Sequence, residues 1–242
     1  ISLRRILMGN TLLIIVGIFM VAMTAIGLKR GMLKMAFSLI SVVVVLLLVN
    51  ILTPPTKQLL KATPIYTGIQ NTIEEYVSNN IESSAQSVTQ TGVGAQKKII
   101  EKLPLPKEIK ATLNENNTEE SYASLKVTTF SEYIAESLTD MVMNAVTFII
   151  LFVILTILVK IVVHALDIIA KLPVLRTFNT IGGALIGLGE SLVIIWIACI
   201  VVTAFSTTSW GQQICTGISE NGLLSLIYDN NIIQHYISGI FS

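Results

Sequence analysis

The chain has 242 residues, 52% of them hydrophobic and only 13% charged, with a formal net charge of +1 and a mean hydropathy of +0.74. Soluble domains carry about a quarter charged residues, so this composition leaves little surface suited to water. The near-neutral balance gives no reason to expect a nucleic-acid partner, and the two cysteines, Cys199 and Cys215, make neither a disulfide framework nor a metal-ligand pattern.

Residues 6–28, 35–52 and 141–159 are runs of 23, 18 and 19 residues without a charge. At about 1.5 Å per helical residue they reach roughly 27–34 Å, close to the roughly 30 Å hydrocarbon core of a bilayer. None has a polar stripe, so in water each would need burial on every face. Residues 1–52 are therefore expected to form a transmembrane hairpin. The first run is too long for a signal peptide and lacks a small-x-small site, so cleavage is not expected. Between the first two runs, "AIGLKRGMLK" (25–34) holds Lys29, Arg30 and Lys34. A Lys or Arg at the bilayer centre costs about 2.5–3.5 kcal/mol, so these three belong at the surface as a topology anchor. Gripping anionic headgroups, at about 1 kcal/mol per cation, is a further role they can take.

Residues 53–140 are polar and rich in Asn, Ser, Thr, Glu and Lys. Thr53-Pro54-Pro55 is expected to end the second helix, because Pro lacks the N–H that extends the ladder. Ile69, Ile73, Val77, Ile81 and Ala85 recur every fourth residue, an amphipathic helix signature. "GVG" (92–94) and "LPLP" (103–106) break the pattern, and Val127, Phe130, Ile134, Leu138 and Met141 mark a helix feeding the third span.

Residues 141–208 are expected to form a second hairpin, with residues 160–178 as a short interfacial helix between its spans. Residues 191–206 are apolar but short for a bilayer. A longer, tilted helix over 181–205 is preferred, because "GGALIG" is smooth enough to pack closely on a neighbour. It would hold Glu190 inside the membrane, where a carboxylate must be neutral, paired or in water; a shorter span would leave it at the headgroups. The tail, 209–242, is too interrupted to span and apolar enough to lie on the membrane. The expected fold is all-α: a polytopic membrane protein with four transmembrane helices plus amphipathic interfacial helices.

Orientation follows from Lys and Arg in short loops. The first hairpin has three cations, and the connection before the last span has Lys160, Lys171 and Arg176 against Asp167. The central segment has eight Lys against eleven acids. Both cation-rich hairpins should face the cytoplasm, with the termini and residues 53–140 outside; Arg4 and Arg5 argue the other way but are outnumbered.

"GLKRGMLKMAFSLISVVV" (27–44) and "FNTIGGALIGLGESLVI" (178–194) resemble the two motifs of the colicin V production protein (CvpA) family. The resemblance runs through the four spans and does not visibly cover the central segment. The motif positions fall on Gly27, Arg30 and Gly31, and on Asn179, Gly183 and Gly187. Glu190 departs from the pattern, where a basic or neutral residue is more usual. The resemblance implies a bacterial cytoplasmic (inner) membrane protein needed for production or secretion of a peptide toxin, or for envelope homeostasis under stress. It brings no catalytic residues and no cofactor.

Gly183 and Gly187, like Gly27 and Gly31, are small-xxx-small pairs that let helices approach closely. For the first pair, packing within the chain is favoured over self-association; for the second, a turn is favoured. His164 and Asp167 are too few to hold zinc, and no nucleophile elbow, P-loop or paired-carboxylate constellation occurs. The expected function is a non-enzymatic helix-packing scaffold, with the lipid bilayer and other membrane proteins or a second copy as partners. The alternatives are a small channel or transporter with a polar path near Asn179 and Glu190, or an envelope sensor using residues 53–140.

Overall fold

The computed structural model of the protein describes residues 2–82, 93–165 and 176–233. Every regular element among them is helical. Helices α1 (Ser2–Arg30) and α2 (Met32–Leu60) come first, then α3 (Pro64–Val77) with a π turn at Ser78–Glu82. Three short helices follow: α4 (Val93–Lys102), α5 (Lys107–Glu115) and α6 (Glu119–Leu125). The long α7 (Phe130–Ala165) and α8 (Arg176–Ala204) precede α9 (Ser209–Ser219) and α10 (Gly222–Asp229). Four stretches, Met8–Arg30, Met32–Leu60, Phe130–Val162 and Asn179–Ala204, are long and apolar enough to cross a membrane. The fold is that of an all-α polytopic membrane protein.

Two compact units are present, with boundaries falling inside α2, α7, α8 and α9. The first comprises Ile1–Pro54, Phe148–Ile200 and Thr216–Tyr236. Its side chains Ile14, Ile18, Val21, Ile40, Ile51, Val153, Ile157, Ile181 and Leu185 are exposed. Water would penalise such a surface at about 25 cal/mol per Å², whereas hydrocarbon does not. Two threonine hydroxyls in the spans turn back on their own helix, Thr24 Oγ1 to the Met20 carbonyl (2.8 Å) and Thr53 Oγ1 to that of Val49 (2.7 Å).

The tail belongs partly to this unit. Trp196 Nε1 donates to the Ile227 carbonyl (2.9 Å), and Asn231 Nδ2 donates back to the Trp196 carbonyl (2.9 Å). Gly9 on α1 lies close to Gly217, where an added Cβ would come within 2.9 Å of the Gly217 oxygen. Asn221 caps α10 by accepting from the N–H groups of Leu223 and Leu224.

Among the described residues the second unit comprises those of 55–147 and 201–215. It has a hydrophobic core of its own. Of the expected series, Ile73, Val77 and Ile81 are buried with Ile100, Leu113, Tyr133, Ile134 and Leu138, Ile69 packs against them partly buried, and Ala85 lies outside the described residues. In "LPLP" both leucines, Leu103 and Leu105, enter this core while Pro104 stays exposed. The buried Tyr133 hydroxyl donates to the Leu113 carbonyl (2.8 Å), and its ring stacks on Tyr122 at 5.0 Å. Thr129 and Glu132 form a capping box at the start of α7: Glu132 N donates to Thr129 Oγ1 (3.2 Å) and Thr129 N to Glu132 Oε2 (3.1 Å).

The structure corrects three local expectations. Pro54 and Pro55 do not end α2, which continues to Leu60. Beyond them Lys57 and Lys61 reach Asp140 on α7 at 2.6 and 3.3 Å, and these ion pairs hold the extra turns in place. Residues 160–165 continue α7 instead of opening an interfacial helix, and residues 166–175 lie outside the described part. Three helices, α4 to α6, fill a stretch where the sequence showed mainly breaks.

Candidate functional site

On α8, Asn179, Gly183 and Gly187 are four residues apart and Glu190 follows three later, which places all four on one helix face. That face meets α1, the turn after it, and α2. Met23 and Gly27 of α1 lie against Gly187 and Gly183, so these helices run antiparallel; Leu33 and Ser38 of α2 lie beside Asn179 and Glu190, so that pair runs parallel.

The turn between α1 and α2 is one residue, Gly31. Its φ of 81° is left-handed, which glycine adopts without steric cost. A Cβ there would collide with the Asn179 side chain. Having no side chain, Gly31 cannot cap α2, and Asn179 does so from 146 residues away: its Oδ1 accepts from the N–H of Leu33 at 3.3 Å. One turn deeper, a Cβ on either Gly27 or Gly183 would strike the other's carbonyl oxygen, and one on Gly187 would meet the Met23 oxygen at 2.6 Å. The glycines therefore bring backbone against backbone inside one chain. Gly27 works as a packing residue within α1, and the turn itself is at Gly31.

Lys29, Arg30 and Lys34 are exposed around this turn. Because Gly31 touches Asn179, the first hairpin lies at the same end of the unit as the entry to α8, whose first residue is Arg176. Lys171 lies outside the described residues.

Glu190 sits in mid-helix, 11 residues, or about 16 Å, beyond Asn179. The helix is the longer of the two alternatives. Glu190 is 7% exposed, Ser38 Oγ donates to Oε1 at 2.7 Å, and Oε2 is buried without a hydrogen-bond partner. Sequence reasoning missed Ser38, although a polar residue one turn past Lys34 in an apolar run was the available signal.

The second unit carries an open cleft of about 940 Å³ between α3 and the start of α7, lined by Glu74, Glu75, Glu132, Glu136 and Lys126 among others. Burial raises the hydroxyl pKa of Tyr76 and of Tyr122, and neither hydroxyl has a hydrogen-bond partner. Both are structural groups held in their neutral form.

Residues 122–225 match the family model of the colicin V production proteins, which supports membership of that family. The matched stretch takes in the α8 stripe and, contrary to expectation, begins inside the central segment, whereas the α1–α2 motif lies outside it. No curated protein matches the chain. No solved structure does either.

Proposed function

We propose that this protein is a non-enzymatic scaffold of the bacterial cytoplasmic membrane that serves toxin production or secretion, or envelope homeostasis, by holding other membrane proteins. The observation that carries this reading is the use of the polar and small residues of the α8 stripe. Asn179 caps α2, Gly183 and Gly187 seat α1, and Glu190 meets Ser38, so all four are engaged in joining helices. The same engagement argues against a polar conduction path along that stripe. By the cation rule the turn at Gly31 faces the cytoplasm, and the termini and residues 53–140 face outward.

A second reading, an envelope sensor, is favoured by the buried core of the second unit, since a folded segment offers a ligand or partner a fixed surface without an ordering cost on binding. Co-purification from native membranes, with crosslinking, separates these readings from a conduction role. The scaffold reading expects defined partners with the wild type and their loss with Gly183→Leu at equal membrane level. Identical partners in both would count against it, and substrate flux in liposomes abolished by Glu190→Gln would replace it with a transporter.

A further inference from the structure

Glu190 carries a problem that helix packing does not solve. Its carboxyl group is buried midway along a span, one oxygen meets a single hydroxyl, and the other has no hydrogen-bond partner. Ser191 beside it is turned away, its hydroxyl donating to the Leu188 carbonyl at 2.6 Å. Besides Glu190, the charged side chains of this unit that the structure describes are Lys29 and Arg30 at the end of α1, Lys34 on α2, Lys160 on α7, and Glu220 and Asp229 of the tail. All six are exposed. The ion pairs of Asp140 with Lys57 and Lys61 lie in the other unit and do not involve Glu190.

An ionised carboxylate in this position would lose its hydration, at several kcal/mol, with one hydroxyl as compensation. A metal ion does not resolve this, because hard cations take about six or more oxygen ligands and the site offers one carboxyl and one hydroxyl. A proton needs a single oxygen. The 2.7 Å separation of Ser38 Oγ and Glu190 Oε1 suits an O–H···O bond in either direction.

We propose that Glu190 is a proton-binding site in mid-membrane, occupied as the neutral acid, whose Oε1–H donates to Ser38 Oγ. The unpartnered Oε2 is then a carbonyl oxygen, which costs less to leave unbonded than a charged one. The proton thereby ties α8 to α2, and its loss would place a bare charge between two helices in an apolar environment. This assignment is independent of whether the protein is a scaffold.

Infrared difference spectroscopy of the full chain in lipid vesicles at neutral pH, wild type minus Glu190→Gln, tests it. The expected result is one carboxylic-acid C=O band, missing from the variant and unchanged when Na⁺ replaces K⁺. The same band should shift in Ser38→Ala, where its acceptor is gone. Carboxylate stretches in its place, or conversion of acid to carboxylate on adding Na⁺, overturn the proposal. If Glu190→Gln does not fold, ¹³C-glutamate labelling of the wild type and Ser38→Ala gives the same decision: a shifted acid band supports the site, and a shifted carboxylate band or no shift overturns it.

Discussion

Asn179 accepts the backbone N–H of Leu33, 146 residues earlier in the chain, at 3.3 Å and so caps the start of α2. The cap is supplied from α8 because Gly31, the residue before α2, was chosen for its left-handed φ and has no oxygen to offer. Losing a cap costs about 0.5–2 kcal/mol. Asn179→Ala is expected to lower stability by about that much, while Asn179→Asp, which keeps the acceptor, retains most of it. Reversible unfolding in mixed detergent micelles measures the difference. Equal stability of wild type and Asn179→Ala would show that the contact contributes nothing.

Gly183 and Gly189 make a matched comparison on one helix. A Cβ on Gly183 strikes the Gly27 oxygen and comes within 2.9 Å of the Gly31 Cα, whereas one on Gly189 meets nothing within 4 Å. The obstacles at Gly183 are backbone atoms, so no side chain can move aside. Gly183→Ala is expected to destabilise by about 1–3 kcal/mol, the range for overpacking. Gly189→Ala should be neutral or slightly stabilising, since alanine is the better helix former. A cysteine pair placed on α1 and α8 should crosslink more slowly in the first variant than in the second; equal rates would mean that the close approach does not hold α1.

These two variants also mark what the sequence could disclose. The spans were legible because uncharged runs of bilayer length have few other uses, and Ile73, Val77 and Ile81 announced a buried face by their spacing. The glycine and asparagine positions could be singled out, but their partners could not, because a contact between Asn179 and Leu33 leaves no local periodicity. The end of α2 was misjudged for the same reason: Pro54-Pro55 is a local stop signal, and the ion pairs from Lys57 and Lys61 to Asp140 that carry the helix past it are distant in sequence. Helices α4 to α6 have 10, 9 and 7 residues, too few turns for a 3.6-residue period to stand out.

Cys215 offers a titration outside the spans. Burial, and secondarily the negative charge of Glu108, push its thiol from 9.0 up to about 11. Only the thiolate attacks an alkylating reagent, so at pH 8 Cys215 should react about 100-fold more slowly than an unperturbed thiol. The sign for stability follows: with the folded value raised, the neutral thiol contributes in full below pH 9.0 and the contribution is lost as pH rises through about 11. Mass-spectrometric alkylation rates in a Cys199→Ser background should climb until about pH 11, and Glu108→Gln should move the midpoint down. A midpoint near 9.0 would mean that the thiol is not buried as described.

The orientation can be settled with two single-cysteine variants in a chain freed of Cys199 and Cys215. Leu28, 44% exposed, adjoins Lys29 and Arg30 at the turn, and Ser124 is exposed on the second unit. Moving three cations to the outer face would oppose the bias that sets topology in short loops, so the turn is expected on the cytoplasmic side. An impermeant maleimide on intact cells should then label Ser124→Cys and spare Leu28→Cys until the membrane is opened. Because α2 separates the two positions, one crossing requires opposite answers. Labelling of Leu28→Cys alone would invert the map, and labelling of both on intact cells would remove α2 as a membrane span.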